Sequence, residues 1–272
     1  MSVSFRTARA DELPLVLSWA EAEGWNPGPD DAAAFFASDP EGFFVADADT
    51  GPVAAISVVN HSDAFAFLGL YLCLPEHRGK GIGFGLWQHA LAHAGARCVG
   101  LDGVPAQQDN YRKSGFVLAG QTFRFEGQIP ADRGAGLRPA SASDRDRLCQ
   151  AEARANGYAT PAFMTAWSQD TDSRRTFTRG TAFATLRRCG RGAKIGPLVA
   201  DDIDDAKALL MAIAAAFPAD PFIIDVPDDQ PELTALCKGW GMQASFNTAR
   251  MYRGPAPIPG RGIRSIATLE LG

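Results

Sequence analysis

The chain has 272 residues, which at about 100–200 residues per domain suggests two domains. Apolar residues make up 46% and charged residues 21%, an ordinary globular balance that excludes disorder, collagen and coiled coil as whole-chain readings. The net charge of −5 does not favour nucleic acid as a partner. It is also unevenly shared: residues 1–132 carry 8 Lys/Arg against 16 Asp/Glu, and the remainder carries 18 against 15. The longest apolar stretch, Ala64–Leu74, is too short to cross a bilayer, which takes about 20 residues. The first residues lack the apolar core of a signal peptide. The expectation is a cytoplasmic protein with no membrane contact. The 5 cysteines are widely spaced and contain no C-x-x-C, which argues against a disulfide framework and against a structural zinc site.

In chain order, Val3–Ala8 reads as a strand. Asp11 and Glu12 open a helix whose apolar positions are Leu13, Val16, Leu17 and Ala20. Gly24–Pro29 has two glycines and two prolines and must be a loop. A helix over Asp30–Ser38 follows, then strands at Phe43–Asp47 and Val53–Asn60 joined by the turn Asp49-Thr50-Gly51-Pro52. Ala64–Leu74 is apolar on both faces and predicts a central strand. Simple alternation puts Phe65, Phe67, Tyr71 and Cys73 on one face and Ala66, Leu68, Leu70, Leu72 and Leu74 on the other. A helix over Gly83–Gly95, a buried strand at Cys98–Asp102, a helix near Gln107–Ser114 and a closing strand at Phe116–Phe125 complete the first unit. Arg133-Gly134-Ala135-Gly136 reads as a linker, after which the pattern restarts. Arg6 and its surroundings resemble those of Arg138, and Ser114-Gly115-Phe116 resembles Trp240-Gly241-Met242. Similar offsets at both ends indicate a duplication. Residues 255–272 are left as a Pro/Gly-rich tail with a short last segment, Ile263–Leu271.

The chemistry-bearing segment is Arg78-Gly79-Lys80-Gly81-Ile82-Gly83, between a buried strand and a helix. Glycines let the backbone approach an anion without a Cβ clash, and successive N–H groups at a helix N-terminus can surround a phosphate. The spacing fails the dinucleotide fingerprint at Phe84 and at Leu86, and it fails the P-loop pattern as well. It reads R-x-x-G-x-G, preceded by the strand end Leu72-Cys73-Leu74-Pro75. Further on, Tyr111-Arg112-Lys113-Ser114-Gly115-Phe116 reads Y-x-x-x-G-F. Together with the order of elements, these two motifs resemble the GNAT acetyltransferase superfamily over about residues 3–126, and the whole layout resembles a tandem pair with a degenerate second copy.

That resemblance implies an α/β protein of two GNAT-like domains, each a mixed, mostly antiparallel sheet with flanking helices. The domains would span residues 1–132 and 137–254. It implies acetyl-CoA as co-substrate, no metal, and acetyl transfer directly to a primary amine of a small molecule or peptide. A non-catalytic acyl-CoA-binding or sensing protein is the alternative, and a homodimer is left open. Carried over residue by residue, the loop Arg78, Gly79, Lys80, Gly81, Ile82 and Gly83 would hold the pyrophosphate. The strand end Leu72, Cys73 and Leu74 would lie along pantetheine. Tyr111 would protonate the departing thiolate. The family often has an Asn seven residues before this Tyr; here Val104 stands there and Asn110 is the neighbouring candidate.

An amine is protonated at neutral pH, so a base is needed. Asp102, at a strand end, is the first candidate, with Asp63, Glu23 and His61 as alternatives. Trp25 and Asn26 sit where the family builds its acceptor pocket. The basic run Arg174–Lys194 has no acidic residue and reads as a solvated face. At the second copy's equivalent of the loop, Ile195–Asp202 lacks the motif, and Asp201, Asp202, Asp204 and Asp205 would repel a pyrophosphate.

Overall fold

The computed structural model describes residues 3–49, 51–134 and 136–272. Met1 and Ser2, Thr50 of the expected turn and Ala135 of the expected linker lie outside the described residues. The first half runs β1 (Ser4–Thr7), α1 (Leu13–Ala22), α2 (Asp31–Ser38), β2 (Phe43–Ala48), β3 (Gly51–Asn60), β4 (Phe65–Cys73), α3 (Ile82–Leu91), β5 (Cys98–Gly103), α4 (Gln108–Lys113) and β6 (Val117–Gly127). The second runs β7 (Arg138–Pro139), α5 (Arg145–Asn156), α6 (Pro161–Trp167), β8 (Arg174–Arg179), β9 (Ala182–Arg188), β10 (Ala193–Ala200), α7 (Ile203–Ala216), β11 (Phe222–Pro227), α8 (Pro231–Gly239), β12 (Gln243–Arg253) and β13 (Ile263–Ser265).

The duplication is visible in the first turn of each half. Arg6 grips Glu12 through two nitrogens at 2.8 Å, and Arg138 grips Asp144 through two at 2.7 Å. Each acid also accepts a backbone N–H from three residues before it, closing the turn that opens the helix. The Arg6 guanidinium holds the Glu12 carboxyl down at about 2.

Among the described residues the strands form one continuous sheet in the order β1-β2-β3-β4-β5-β12-β6-β11-β10-β9-β8-β7, with β13 added against β10. Among the described residues, only β4–β5 and β10–β11 are parallel. This corrects the reading of Phe116–Phe125 as the strand that closes the first unit. That strand, β6, lies between β12 and β11, and β12 from the far end of the chain pairs with β5 instead. The two copies have exchanged their last strands.

A second correction concerns β4. Ser57 faces Gly69 and Ala55 faces Leu72, so Leu70 and Tyr71 together oppose Ile56. This bulge adds one residue and flips the alternation beyond it. Ala66 and Leu68 therefore share the α3 face with Tyr71 and Cys73, packed on Leu86 and Trp87. Leu70 and Leu72 join Val16, Leu17 and Phe35 on the opposite face. Leu70 takes φ +46°, a conformation costly for a branched side chain and held here by burial on all sides.

The halves share a core. Leu13, Val16, Leu17 and Phe35 pack with Leu148, Phe163, Trp167 and Leu271. At this seam Arg174 and Arg187 lie over the Trp167 ring at 4.6 and 4.8 Å, and both pair with Asp31 of α2. Lys194 donates to the Trp25 carbonyl at 2.9 Å. The basic run is thus not the solvated face its composition suggests. Its Arg174, Arg187 and Lys194 are buried, because the groups they meet belong to the other half: Asp31 for the two arginines and the Trp25 carbonyl for Lys194.

Candidate functional site

Beyond Leu68, which pairs with Leu101, β4 diverges from β5. The bulge at Leu70–Tyr71 bends it away, and a wedge opens between the two strands. The wedge leads into a cleft of about 1000 Å³, lined by Gly69–Cys73 of β4, Arg78, Gly79, Gly81 and Gly83 of the loop, Asp102, Val104 and Tyr111. Backbone groups on this edge of β4 face the wedge rather than a partner strand, so an extended ligand can take a strand's place.

The loop ends in Gly81, the N-cap of α3, at φ +78° with no side-chain cap on the helix. Gly79 is also left-handed, at φ +74°. A side chain is strained at either position, and a capping side chain would compete with a ligand for the first-turn N–H groups. The N-terminus of α3 is therefore shaped for an anion. Arg78 ties loop to strand: its Nε donates to the Cys73 carbonyl at 2.8 Å, and its Nη2 pairs with Glu23.

Tyr111 is buried at the inner wall, stacked on Trp87 with centroids 5.5 Å apart. Burial, with the neighbouring Tyr71, holds its hydroxyl above the usual phenol range, so it stays protonated. Gly103 allows the ring its place, since a Cβ there would strike it.

Ten of the residues singled out from sequence meet in this cleft: Leu72, Cys73, Arg78, Gly79, Gly81, Gly83, Asp102, Tyr111, Trp25 and Asn26. Ile82 is buried beneath α3, Leu74 donates its N–H to Val53, and Lys80 is exposed. Asn110 faces a neighbouring hollow of about 840 Å³ between α3 and α4, its amide on Gln107 at 2.8 Å. Asp102 is fully committed: Arg250 of β12 grips its two oxygens at 2.9 and 2.7 Å. The alternatives fare differently. Asp63 is exposed, 3.9 Å from Arg97, and does not line the cleft. His61 is buried, shares a hydrogen bond with the Leu271 carbonyl at 2.8 Å and is pushed down to about 4. Asn26 is pinned by its amide to the Arg191 backbone, giving one bond at 2.8 Å and taking another at 2.9 Å.

Sequence reasoning missed the cleft's floor and far wall. These are Arg124 and Glu126 of β6, Ser245, Phe246 and Thr248 of β12, and Leu269 and Glu270 of the last segment. They come from exchanged strands, for which the only signal was the repeat itself, and from residues read as a tail, for which there was none.

Comparison with known proteins gives the same picture. A family model described as acetyltransferase (GNAT) family matches residues 10–116, and one described as acetyltransferase (GNAT) domain matches residues 148–264. A curated relative, holothin acyltransferase from a Pseudoalteromonas species, is 34% identical over 98% of this chain and 94% of its own. The chain belongs to the GNAT acetyltransferase family. It has the tandem form, with two GNAT domains, and it is an acyltransferase. Among solved structures, a putative acetyltransferase from Pyrococcus horikoshii has the same fold at a TM-score of 0.82, with 22% identity over 99% of this chain and 96% of that one. A tandem GNAT protein from the clavulanic acid biosynthesis pathway aligns at 0.63, with 15% identity over 93% and 99%. GNAT enzymes use acyl-CoA, and the α3 terminus with its wedge fits such a donor. Among the described residues no three metal-ligating side chains gather as a metal site, and no helix is long and apolar enough to cross a membrane.

Proposed function

We propose that this GNAT protein moves an acetyl group from acetyl-CoA directly to a primary amine of a small molecule or peptide. The observation that carries the reading is the continuity of three features: the uncapped glycine N-terminus of α3, the open wedge between β4 and β5, and Tyr111 at its inner wall. The loop N–H groups and the α3 dipole would hold the pyrophosphate. Pantetheine would lie along Leu72 and Cys73, taking the strand position that β5 vacates. The re-pairing of Leu68 with Leu101 closes the wedge behind the thioester, which favours a short acyl group.

Tyr111 keeps its proton at neutral pH and can donate it to the departing thiolate. The acceptor would enter past Trp25 and Asn26, opposite Glu126 and Phe246. A relative named for acyl transfer to holothin is consistent with such an acceptor. No nucleophile of the enzyme is required, so holding donor and acceptor together supplies much of the rate. Asp102 leaves the role of base, since its oxygens neutralise Arg250.

The test is calorimetry with acetyl-CoA and longer acyl-CoAs, followed by thiol release with a panel of amines. Wild type should bind one acetyl-CoA per chain, and Gly81→Val should abolish binding. Tyr111→Phe should bind normally while kcat falls about 10²–10⁴-fold. Unchanged binding in Gly81→Val would sink the loop assignment, and a wild-type rate in Tyr111→Phe would make Tyr111 a packing residue.

A further inference from the structure

Acetyl transfer to an amine that arrives protonated leaves one proton without a receiver, and among the described residues five carboxylates line the cleft: Glu21, Glu23, Asp102, Glu126 and Glu270. Three are already paired. Glu23 holds Arg78, Asp102 holds Arg250, and Glu126 holds Arg191 at 2.6 Å and accepts from Ser245 at 2.8 Å. Glu21 is exposed at the mouth. Glu270 is different. It is only 5% exposed, lies on the cleft floor and enters no ion pair among the described residues. Its Oε2 accepts from the Thr268 hydroxyl.

Its position along the wedge is set by backbone contact. Gly69, beside the bulge where β4 leaves β5, lies so close to the Glu270 backbone that any side chain there would collide with it. Glu270 is thereby placed at the apex of the wedge, the end where an acyl group bound along β4 would stop. The charges that sense it are Arg124, Arg187 and Lys194, with Asp225 holding Arg124 beside them through two bonds of 2.8 Å. A separate observation marks the same cleft as a place for a polar ligand. Thr248 of β12 lines it at 2% exposure, and its hydroxyl has no partner, a costly state for a buried polar group unless a ligand relieves it.

We propose that Glu270 is the base that takes the proton from the acceptor ammonium, a role that rests on the acetyl-transfer reading above. The ammonium gives one proton to the Glu270 carboxylate, which later releases it to solvent. The freed nitrogen lone pair forms the N–C bond to the acyl carbon as the C–S bond breaks, and the thiolate takes its proton from Tyr111. The nitrogen's remaining surplus proton restores Tyr111 by way of solvent. One proton is released per amide formed. The acceptor is thus a primary amine that arrives charged, with a polar group within reach of Thr248.

The experiment measures thiol release from acetyl-CoA with a panel of primary amines, from mildly acidic to alkaline pH, for wild type, Glu270→Gln, Glu270→Asp and Glu21→Gln. Glu270→Gln should lower kcat/KM about 10²–10⁴-fold at neutral pH, with acetyl-CoA affinity unchanged by calorimetry. The deficit should shrink as pH rises and the amine becomes neutral unaided. A Glu270→Gln enzyme with the wild-type rate and pH profile overturns the proposal, as does a Glu21→Gln enzyme that reproduces the whole loss. Should Glu270→Gln fail to fold, Glu270→Asp decides: reduced kcat in a folded chain with normal acetyl-CoA affinity supports the base, and an unchanged kcat overturns it. If wild type releases no thiol with any amine, the acetyl-transfer reading itself fails. If wild type turns over and Glu270→Gln matches it, only the assignment of Glu270 fails.

Discussion

The two halves repeat one architecture and treat their wedges in opposite ways. In the first, β4 and β5 part after Leu68 and the gap stays open. In the second, β10 and β11 pair over Ala193–Ile195, and the strand beyond is covered by β13 in register with Leu198–Ala200. The helix ends differ in the same sense. The N-cap of α3 is a glycine with no side-chain cap, whereas the N-cap of α7 is Asp202, whose carboxylate accepts from the Asp205 N–H at 2.9 Å. The second half has satisfied with its own chain the groups that the first leaves for a ligand. A binding site on this fold is, in large part, a set of backbone hydrogen bonds left unmade.

That contrast can be broken at several points. The largest effect should come from residues 1–132 expressed alone. Without the second half, β5 loses its native partner strand, Asp102 loses Arg250, and Leu13, Val16 and Phe35 lose Leu148, Phe163 and Trp167, so the fragment should lack a cooperative thermal transition. A folded fragment that binds acetyl-CoA would show that the halves are independent. In the full chain, Asp102→Ala should cost about 3–5 kcal/mol by denaturant unfolding, since it leaves the largely covered Arg250 side chain without its partner. A loss under about 1 kcal/mol would mean that water reaches the pair.

His61 makes the next largest difference. Its imidazole, pushed down to about 4 by burial, stays neutral in the fold while the unfolded chain protonates near the ordinary value of about 6.5. Stability should therefore fall as pH drops from about 6.5 to 4, by about 3 kcal/mol. Glu152, pushed up to about 7 by burial, titrates in the opposite sense across part of this range. The effect is therefore read as the difference between wild type and His61→Asn, which should narrow as the solution is acidified. The smallest effect belongs to the filled wedge. Ser265→Ala removes the hydroxyl that accepts the Leu198 N–H at 3.0 Å and should cost about 1–3 kcal/mol without opening a second acetyl-CoA site. Two acetyl-CoA per chain in that variant would show that β13 alone keeps the second wedge closed.

Most elements were legible because their signals are local. Arg78–Gly83 and Tyr111–Phe116 carry their geometry in residue types a few positions apart, and the duplication shows in the paired Arg6 and Arg138 turns. What was hidden depends on partners distant in sequence. Nothing in the alternation of Ala64–Leu74 announces the extra residue at Leu70, because apolar residues occupy both faces on either side of it. The strand exchange leaves no mark on β6 or β12, since two copies of one strand suit the same neighbours. Asp102 looked available because Arg250 stands 148 residues away. Arg174 and Arg187 looked solvated because Asp31 belongs to the other copy. Glu270 was passed over as part of a tail, its place at the wedge being visible only through the collision it imposes at Gly69.

The exchange of last strands also sets a timetable for biosynthesis. The pairing of Val99–Gly103 with Ala249–Arg253 joins segments separated by more than half the chain, and contacts so far apart in sequence form slowly. On the ribosome the glycine loop is made early, yet the native pairing of β5 cannot form until the second copy has been translated almost to its end. Only then can β12 be threaded between β5 and β6. A messenger truncated or stalled within the second copy would yield a chain carrying every residue of the glycine loop and lacking the strand that β5 pairs with in the native sheet. In the folded chain the copy without a ligand groove supplies the strand that completes the sheet beside the active one.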